Sequence, residues 1–174
     1  MQSEVELKFR VTDFEEVRIR LRNTGAANIR GETPEVNTIF DSEARSLAGK
    51  GTLLRLRQYG DETILTVKEP RQPGSMKIRI EHETQLSISM NEAFDLLGAL
   101  GYTPVYRYEK TREIWSLSGG VKVCLDRLHF GAFIEIEADC EEKVRNTAEL
   151  LGFRVSEGLS ESYSSLEKGC RKGH

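Results

Sequence analysis

Residues 4–11 read Glu4-Val5-Glu6-Leu7-Lys8-Phe9-Arg10-Val11, a strict alternation of charged and apolar side chains. A period of two is the signature of a β-strand, in which successive side chains point to opposite faces. Glu4, Glu6, Lys8 and Arg10 share one face; Val5, Leu7, Phe9 and Val11 share the other. Taken alone, such a strand has a wet face and a core face. The pattern recurs, however. Arg55 and Arg57 stand against Leu54 and Leu56, and Lys77, Arg79, Glu81 and Glu83 against Ile78 and Ile80. Lys110 and Arg112 share a face, Lys122 and Asp126 lie opposite Val121, Val123 and Leu125, and Glu135 and Glu137 lie opposite Ile134 and Ile136.

Working outward, Asp13 reads as a helix N-cap, followed by an apolar stripe of Phe14, Val17, Ile19 and Leu21 that ends near Gly25. Residues 28–41 read as a strand interrupted by Pro34, and a loop then runs to Gly49 and Gly51. Strands at 53–59 and 63–68 flank Gly60-Asp61, a hairpin signal. Residues 69–75 hold Pro70 and Pro73 and form a loop, either a lid or a plain connection. A long strand at 77–87 precedes a helix at 91–100. Residues 104–117 and 120–127 form a hairpin turning at Gly119-Gly120, and 132–138 a last strand. Helices follow at about 141–151 and 162–168. Eight or so strands with four helices indicate an antiparallel α+β fold, a closed or nearly closed barrel, in one domain over 1–174.

Four amphipathic helices need apolar surface to lie on. If they cover the outside of the barrel, the charged strand faces point into its lumen, which in a barrel of this size holds one small ligand. Buried charges of both signs are costly unless compensated. A polyanion with divalent cations compensates both. Arginine forks and lysine ammoniums suit phosphate oxygens, and paired carboxylates suit magnesium. The mixture reads as a metal–triphosphate site.

Bulk properties narrow the alternatives. The chain has 174 residues, 30% of them charged, and a net charge of −3, which does not suit a general binder of nucleic acid or anionic membranes. Cys124, Cys140 and Cys170 are odd in number and lack a Cys-x-x-Cys, so neither a disulfide framework nor a structural zinc site is expected. With no leader-like start and no apolar run of membrane-spanning length, the expected compartment is the cytoplasm. His82 falls on the strand face opposite Arg79 and Glu81, beside Ile80 and Thr84, and His129 reads as a surface residue; Trp115 reads as core or as a ring that stacks on a base, and Cys124 as a small buried thiol or a tunnel-lining one.

Glu4-x-Glu6-x-Lys8 resembles the signature of the CYTH superfamily, the triphosphate tunnel metalloenzymes. Further segments follow that family's order: Thr38-Ile39-Phe40-Asp41, Leu53-Leu54-Arg55-Leu56-Arg57, Thr66-Val67-Lys68, Lys77-Ile78-Arg79-x-Glu81-x-Glu83, Lys110-Thr111-Arg112, Leu125-Asp126 and Phe133-Ile134-Glu135-Ile136-Glu137. Phe40 stands where the family often has tyrosine, and Ser162-Tyr163-Ser164-Ser165-Leu166 is similar to the tail of cyclase-type members. The resemblance implies an eight-stranded antiparallel tunnel with outer helices. In it Lys8, Arg55, Arg57, Lys68, Lys77, Arg79, Lys110 and Arg112 would grip phosphates. Glu4, Glu6, Glu135 and Glu137 would hold Mg2+ or Mn2+, and Lys8 and Asp126 would serve catalysis. Glu81 and Glu83 would hold metal or steady an arginine, and Lys122 would meet phosphate or form an ion pair. The implied activity is conversion of ATP to cyclic AMP and pyrophosphate. The alternatives are hydrolysis of thiamine triphosphate, nucleoside triphosphate or tripolyphosphate and, more weakly, non-catalytic polyphosphate binding. The expected assembly is a monomer or homodimer.

Overall fold

The computed structural model describes residues 2–70 and 76–172. The lid reading of 69–75 therefore falls largely outside the described residues. Eight antiparallel strands close on themselves: β1 (Gln2–Val11), β2 (Ala27–Ser42), β3 (Leu53–Tyr59), β4 (Glu62–Lys68), β5 (Lys77–Leu86), β6 (Tyr102–Leu117), β7 (Val121–Leu128) and β8 (Gly131–Ala138). Their order around the barrel is β1-β5-β4-β3-β2-β6-β7-β8, and β8 pairs back with β1. The described helices are α1 (Glu15–Asn23), α2 (Ser46–Gly49), α3 (Met90–Ala99), α4 (Glu141–Leu150) and α5 (Tyr163–Lys172). No helix among the described residues is long and apolar enough to cross a membrane.

The outer face carries the apolar half of each alternation. Val5, Leu7 and Phe9 of β1 pack with Val123, Leu125, Ile134 and Ile136 against Val17 and Leu21 of α1 and Val144 and Ala148 of α4. Phe40, Leu54 and Leu56 pack separately against Ala93 and Leu97 of α3. Each such side chain contributes roughly 1.5–3 kcal/mol of burial. That sum commits the strands to this orientation and sends the charged faces inward. Phe40 meets Phe94 edge-on on the outside, so its departure from tyrosine leaves the lumen untouched.

Local expectations are refined in several places. Ile19 is exposed and takes no part in the α1 stripe. Phe14, not Asp13, occupies the α1 N-cap, although an Asp13 oxygen accepts the Glu15 N–H at 3.2 Å. Pro34 does not interrupt β2. It stands just past the last β3 rung, Glu35↔Tyr59, where its missing N–H faces no partner in the ladder. The loop after β2 contains α2, whose first N–H groups are held by Asp41: its Oδ1 accepts from Leu47 and its Oδ2 from Ala48, both at 2.9 Å.

At one end the barrel needs an extra segment. The β1–β5 ladder stops at Glu6↔Lys77, leaving the β1 edge open beyond it. Leu159 fills the gap, exchanging backbone bonds with Lys8 at 3.1 and 2.8 Å. This contact brings the start of α5 to the mouth of the barrel, where Tyr163 is buried.

Candidate active site

Two chambers line the charged interior, one of about 910 Å³ and one of about 260 Å³. Arg55, Lys68, Arg112 and Glu135 border both. Glu4, Arg57, Glu137 and the Glu81–Glu83 pair face the larger one, and Glu6, Lys8, Lys77, Arg79 and Lys110 the smaller. The structure thus gathers every cation and glutamate expected inside. Lys122 borders the larger chamber but is solvent-exposed there. Cys124 borders it as a buried thiol.

The charges neutralise one another in linked groups. Glu6 bonds to both Lys8 and Lys77, and Lys8 also meets Glu135 at 3.1 Å. Lys68 sits between Glu4 at 2.6 Å and Glu81 at 2.8 Å. Arg112 forks onto Asp126 at 2.7 and 2.6 Å, and Asp126 also accepts from Lys110 at 3.0 Å and from the Tyr163 hydroxyl at 2.7 Å. Glu83 bonds Arg57 and accepts from Thr66 at 2.9 Å, while Glu81 and Glu83 lie 3.4 and 3.5 Å from Arg55. Glu83 thus stands against two arginines, whereas Glu81 lies closer to Lys68 than to Arg55. His82 pairs with Glu69 on the outside, and Trp115 is buried with its indole N–H on Glu113.

Glu35 was missed in the sequence. It is 1% exposed, accepts from Asn37 at 2.7 Å, and lies 3.3 Å from Lys110, 3.6 Å from Arg57 and 3.9 Å from Arg112. One buried carboxylate thereby holds three of the cations expected to grip phosphate. Its alternation with Asn37 and Ile39 was the available signal, hidden beside Pro34 and carrying a single charge.

Proton affinities follow the geometry. Burial acts to raise the Glu6 carboxyl, but Lys8 and Lys77 outweigh it and hold it low. Burial likewise opposes ionisation of Glu135, and Lys8 and Arg112 win there. Two carboxyls go the other way. Burial and the nearby Glu137 push Glu4 up to about 9, and burial and Glu135 push Glu137 up to about 7. Lys8, against the pull of burial, is held charged by Glu135 and Glu6. Burial and Lys8 lower Lys77 to about 8.

Among the described residues, no three His, Cys, Asp or Glu side chains stand close enough together to hold a metal ion. The donor chemistry nevertheless fits one. Glu6 of β1 is registered directly opposite Glu137 of β8, and burial, with Glu137 beside Glu4 and Glu135 beside Glu137, raises the Glu4 and Glu137 carboxyls. Carboxylate oxygens around such a point suit Mg2+ or Mn2+, and a cation there would supply the charge that the protons now supply.

A closed eight-stranded antiparallel barrel with a charged lumen and outer helices is a tunnel architecture. The chain belongs to the CYTH family: the model of the CYTH domain matches residues 2–162. None of the curated proteins matches the chain in sequence. Among solved structures, a provisionally named adenylate cyclase of Vibrio parahaemolyticus is similar, with TM-score 0.81, 22% identity, and coverage of 96% of this chain and 98% of that one. The PH1819 protein of Pyrococcus horikoshii superimposes with TM-score 0.76 at 27% identity over 95% of this chain and 98% of its own. A provisionally named adenylyl cyclase of Hippeastrum, described as having a dominant triphosphatase activity, superimposes with TM-score 0.64 at 17% identity over 97% and 96%.

Proposed function

We propose that the protein is a Mg2+- or Mn2+-dependent enzyme acting on a triphosphate in this tunnel, with cyclisation of ATP to cyclic AMP and pyrophosphate as its reaction. The observation that carries the reading is the girdle of Arg55, Lys68 and Arg112 shared by both chambers. It would clasp a polyanion lying along the lumen. The buried Nε atoms of Arg55 and Arg57 have no hydrogen-bond partner, which leaves donors for phosphate oxygens.

Phosphoryl transfer depends mainly on positioning and on neutralising charge. Lys110 and Arg112, fixed by Asp126 and Glu35, and Arg57, fixed by Glu35 and Glu83, orient the phosphates. Asp126 acts by positioning Arg112. Lys8 stays charged and serves as a phosphate cation. Lys77 is the amine able to exchange a proton near neutral pH. Glu4, Glu6, Glu135 and Glu137 would hold the metal, which supplies charge neutralisation at the reacting phosphorus. In cyclisation the ribose 3′-hydroxyl attacks the α-phosphorus and pyrophosphate leaves. Hydrolysis by water at the terminal phosphorus is the second reading, because the Hippeastrum barrel of this fold is described as chiefly a triphosphatase.

The metal assignment has a pH signature. A cation favours ionised Glu4 and Glu137, whose carboxyls are raised to about 9 and about 7, so binding must release their protons. Mn2+ affinity is expected to rise by about tenfold or more between about pH 6 and about pH 8.5. Calorimetry in two buffers of different ionisation enthalpy reads the released protons, and EDTA should abolish turnover. A pH-independent affinity with no proton release, or full turnover in EDTA, would remove the metal from these residues.

A further inference from the structure

Tyr163 stands outside the eight strands, at the start of α5, yet it touches three charged groups of the site. Its hydroxyl donates to Asp126 at 2.7 Å, and the ammoniums of Lys8 and Lys110 stand over its ring at 5.3 and 5.2 Å from the centroid. Four residues earlier, Leu159 exchanges backbone bonds with Lys8. The segment from Leu159 to Tyr163 therefore holds Lys8 both by its main chain and by its side chain.

Anchoring α5 explains the ring but not the hydroxyl. The ring packs with Leu128 and lies edge-on to Phe133, and Glu167, one turn further along α5, takes the Tyr106 hydroxyl. A phenylalanine would anchor the helix as well. The phenol instead reaches a fully buried carboxylate, at the same oxygen that already accepts from Lys110 and Arg112. Burial, with Asp126 and Glu135, raises the hydroxyl well above its ordinary value, so it stays a donor. An uncharged donor restrains Asp126, and through it the Arg112 fork, without changing the net charge presented to a polyanion. The ring acts likewise on the lysines: its π-electrons attract two ammoniums that repel each other.

We infer that Tyr163 is a positioning residue of the triphosphate site: its hydroxyl sets Asp126, and its ring sets the spacing of Lys8 and Lys110. The strands alone do not complete the site; the Leu159–Tyr163 segment does. The inference rests on the triphosphate reading above. Titration calorimetry with the bis-methylene analogue of tripolyphosphate, which is not cleaved, tests it. Tyr163→Phe keeps the ring and is expected to bind the analogue about tenfold more weakly than the wild type, the scale of one bond to a charged group. The Leu159 amide, which donates to Lys8, should keep its slow hydrogen exchange in that variant, because the segment stays docked. In protein carrying 13C-labelled lysine, the ε-methylene protons of Lys8 and Lys110 should be shifted by the ring. That shift should persist in Tyr163→Phe and vanish in Tyr163→Leu, whose affinity falls by about a further fivefold. Unchanged affinity in Tyr163→Phe, loss of Leu159 protection in that variant, or lysine resonances indifferent to Tyr163→Leu would each reduce the residue to an anchor. Any of these would overturn the inference and leave the triphosphate reading intact. A wild type that does not bind the analogue would overturn both.

Discussion

Replacing Arg112 with alanine is expected to cost both the fold and the ligand, more than any other single change in the tunnel. Its guanidinium forks onto Asp126, which is 0% exposed, and lies 3.5 Å from Glu135 and 3.6 Å from Glu137. Removing it leaves buried carboxylates facing a void with only Lys110 and the Tyr163 hydroxyl to answer Asp126. Breaking one partner of a buried charge cluster costs about 3–5 kcal/mol, which a urea melt would read as a lower midpoint with an unchanged slope. Arg112→Lys keeps the charge and loses the fork. It is expected to stay folded and to bind tripolyphosphate about tenfold more weakly, since a point charge cannot replace bidentate geometry. Unchanged affinity in folded Arg112→Lys would mean that phosphate does not lie against this residue.

Glu137→Gln should separate chemistry from folding. The Glu137 carboxyl is pushed up to about 7 by burial and by Glu135, so near neutral pH it is already about half protonated, and the amide is close in shape to that protonated form. The sign can be followed through pH. A carboxyl raised in the folded state favours folding fully below its unfolded value, and that contribution is lost as pH rises through about 7. The variant should therefore match the wild type in stability near about pH 4 and exceed it at about pH 8. Its metal-dependent turnover should nonetheless fall by about 100-fold or more, the scale on which a bound cation lowers such barriers. A stable variant with near-normal turnover would take Glu137 out of the metal site. Glu6→Gln cannot make this separation, because Glu6 is also the carboxylate bonded to Lys8 and Lys77.

The barrel and most of its lumen were legible in the sequence because alternation is strict where both faces are committed. Val5, Leu7 and Phe9 lie under helices, so Glu4, Glu6 and Lys8 have only the lumen to enter. The same logic carried Arg55, Arg57, Glu135 and Glu137. Pairing was not legible, since strand register depends on contacts distant in sequence. Nothing local indicates that Glu137 faces Glu6, that Arg112 forks onto Asp126, or that Leu159 closes the edge beside Lys8. Glu35 escaped for a related reason: one carboxylate beside a proline gives no periodic charge, and its importance lies in the cations of β3 and β6 around it.

Product analysis tests the central claim most directly. The protein would be incubated with ATP and Mn2+ or Mg2+ and the products resolved by chromatography. The expected result is metal-dependent loss of ATP with cyclic AMP and pyrophosphate in equal amounts. Orthophosphate without cyclic nucleotide would replace cyclisation with hydrolysis at the same site. No consumption of ATP, thiamine triphosphate or tripolyphosphate with either metal would contradict a triphosphate-cleaving tunnel.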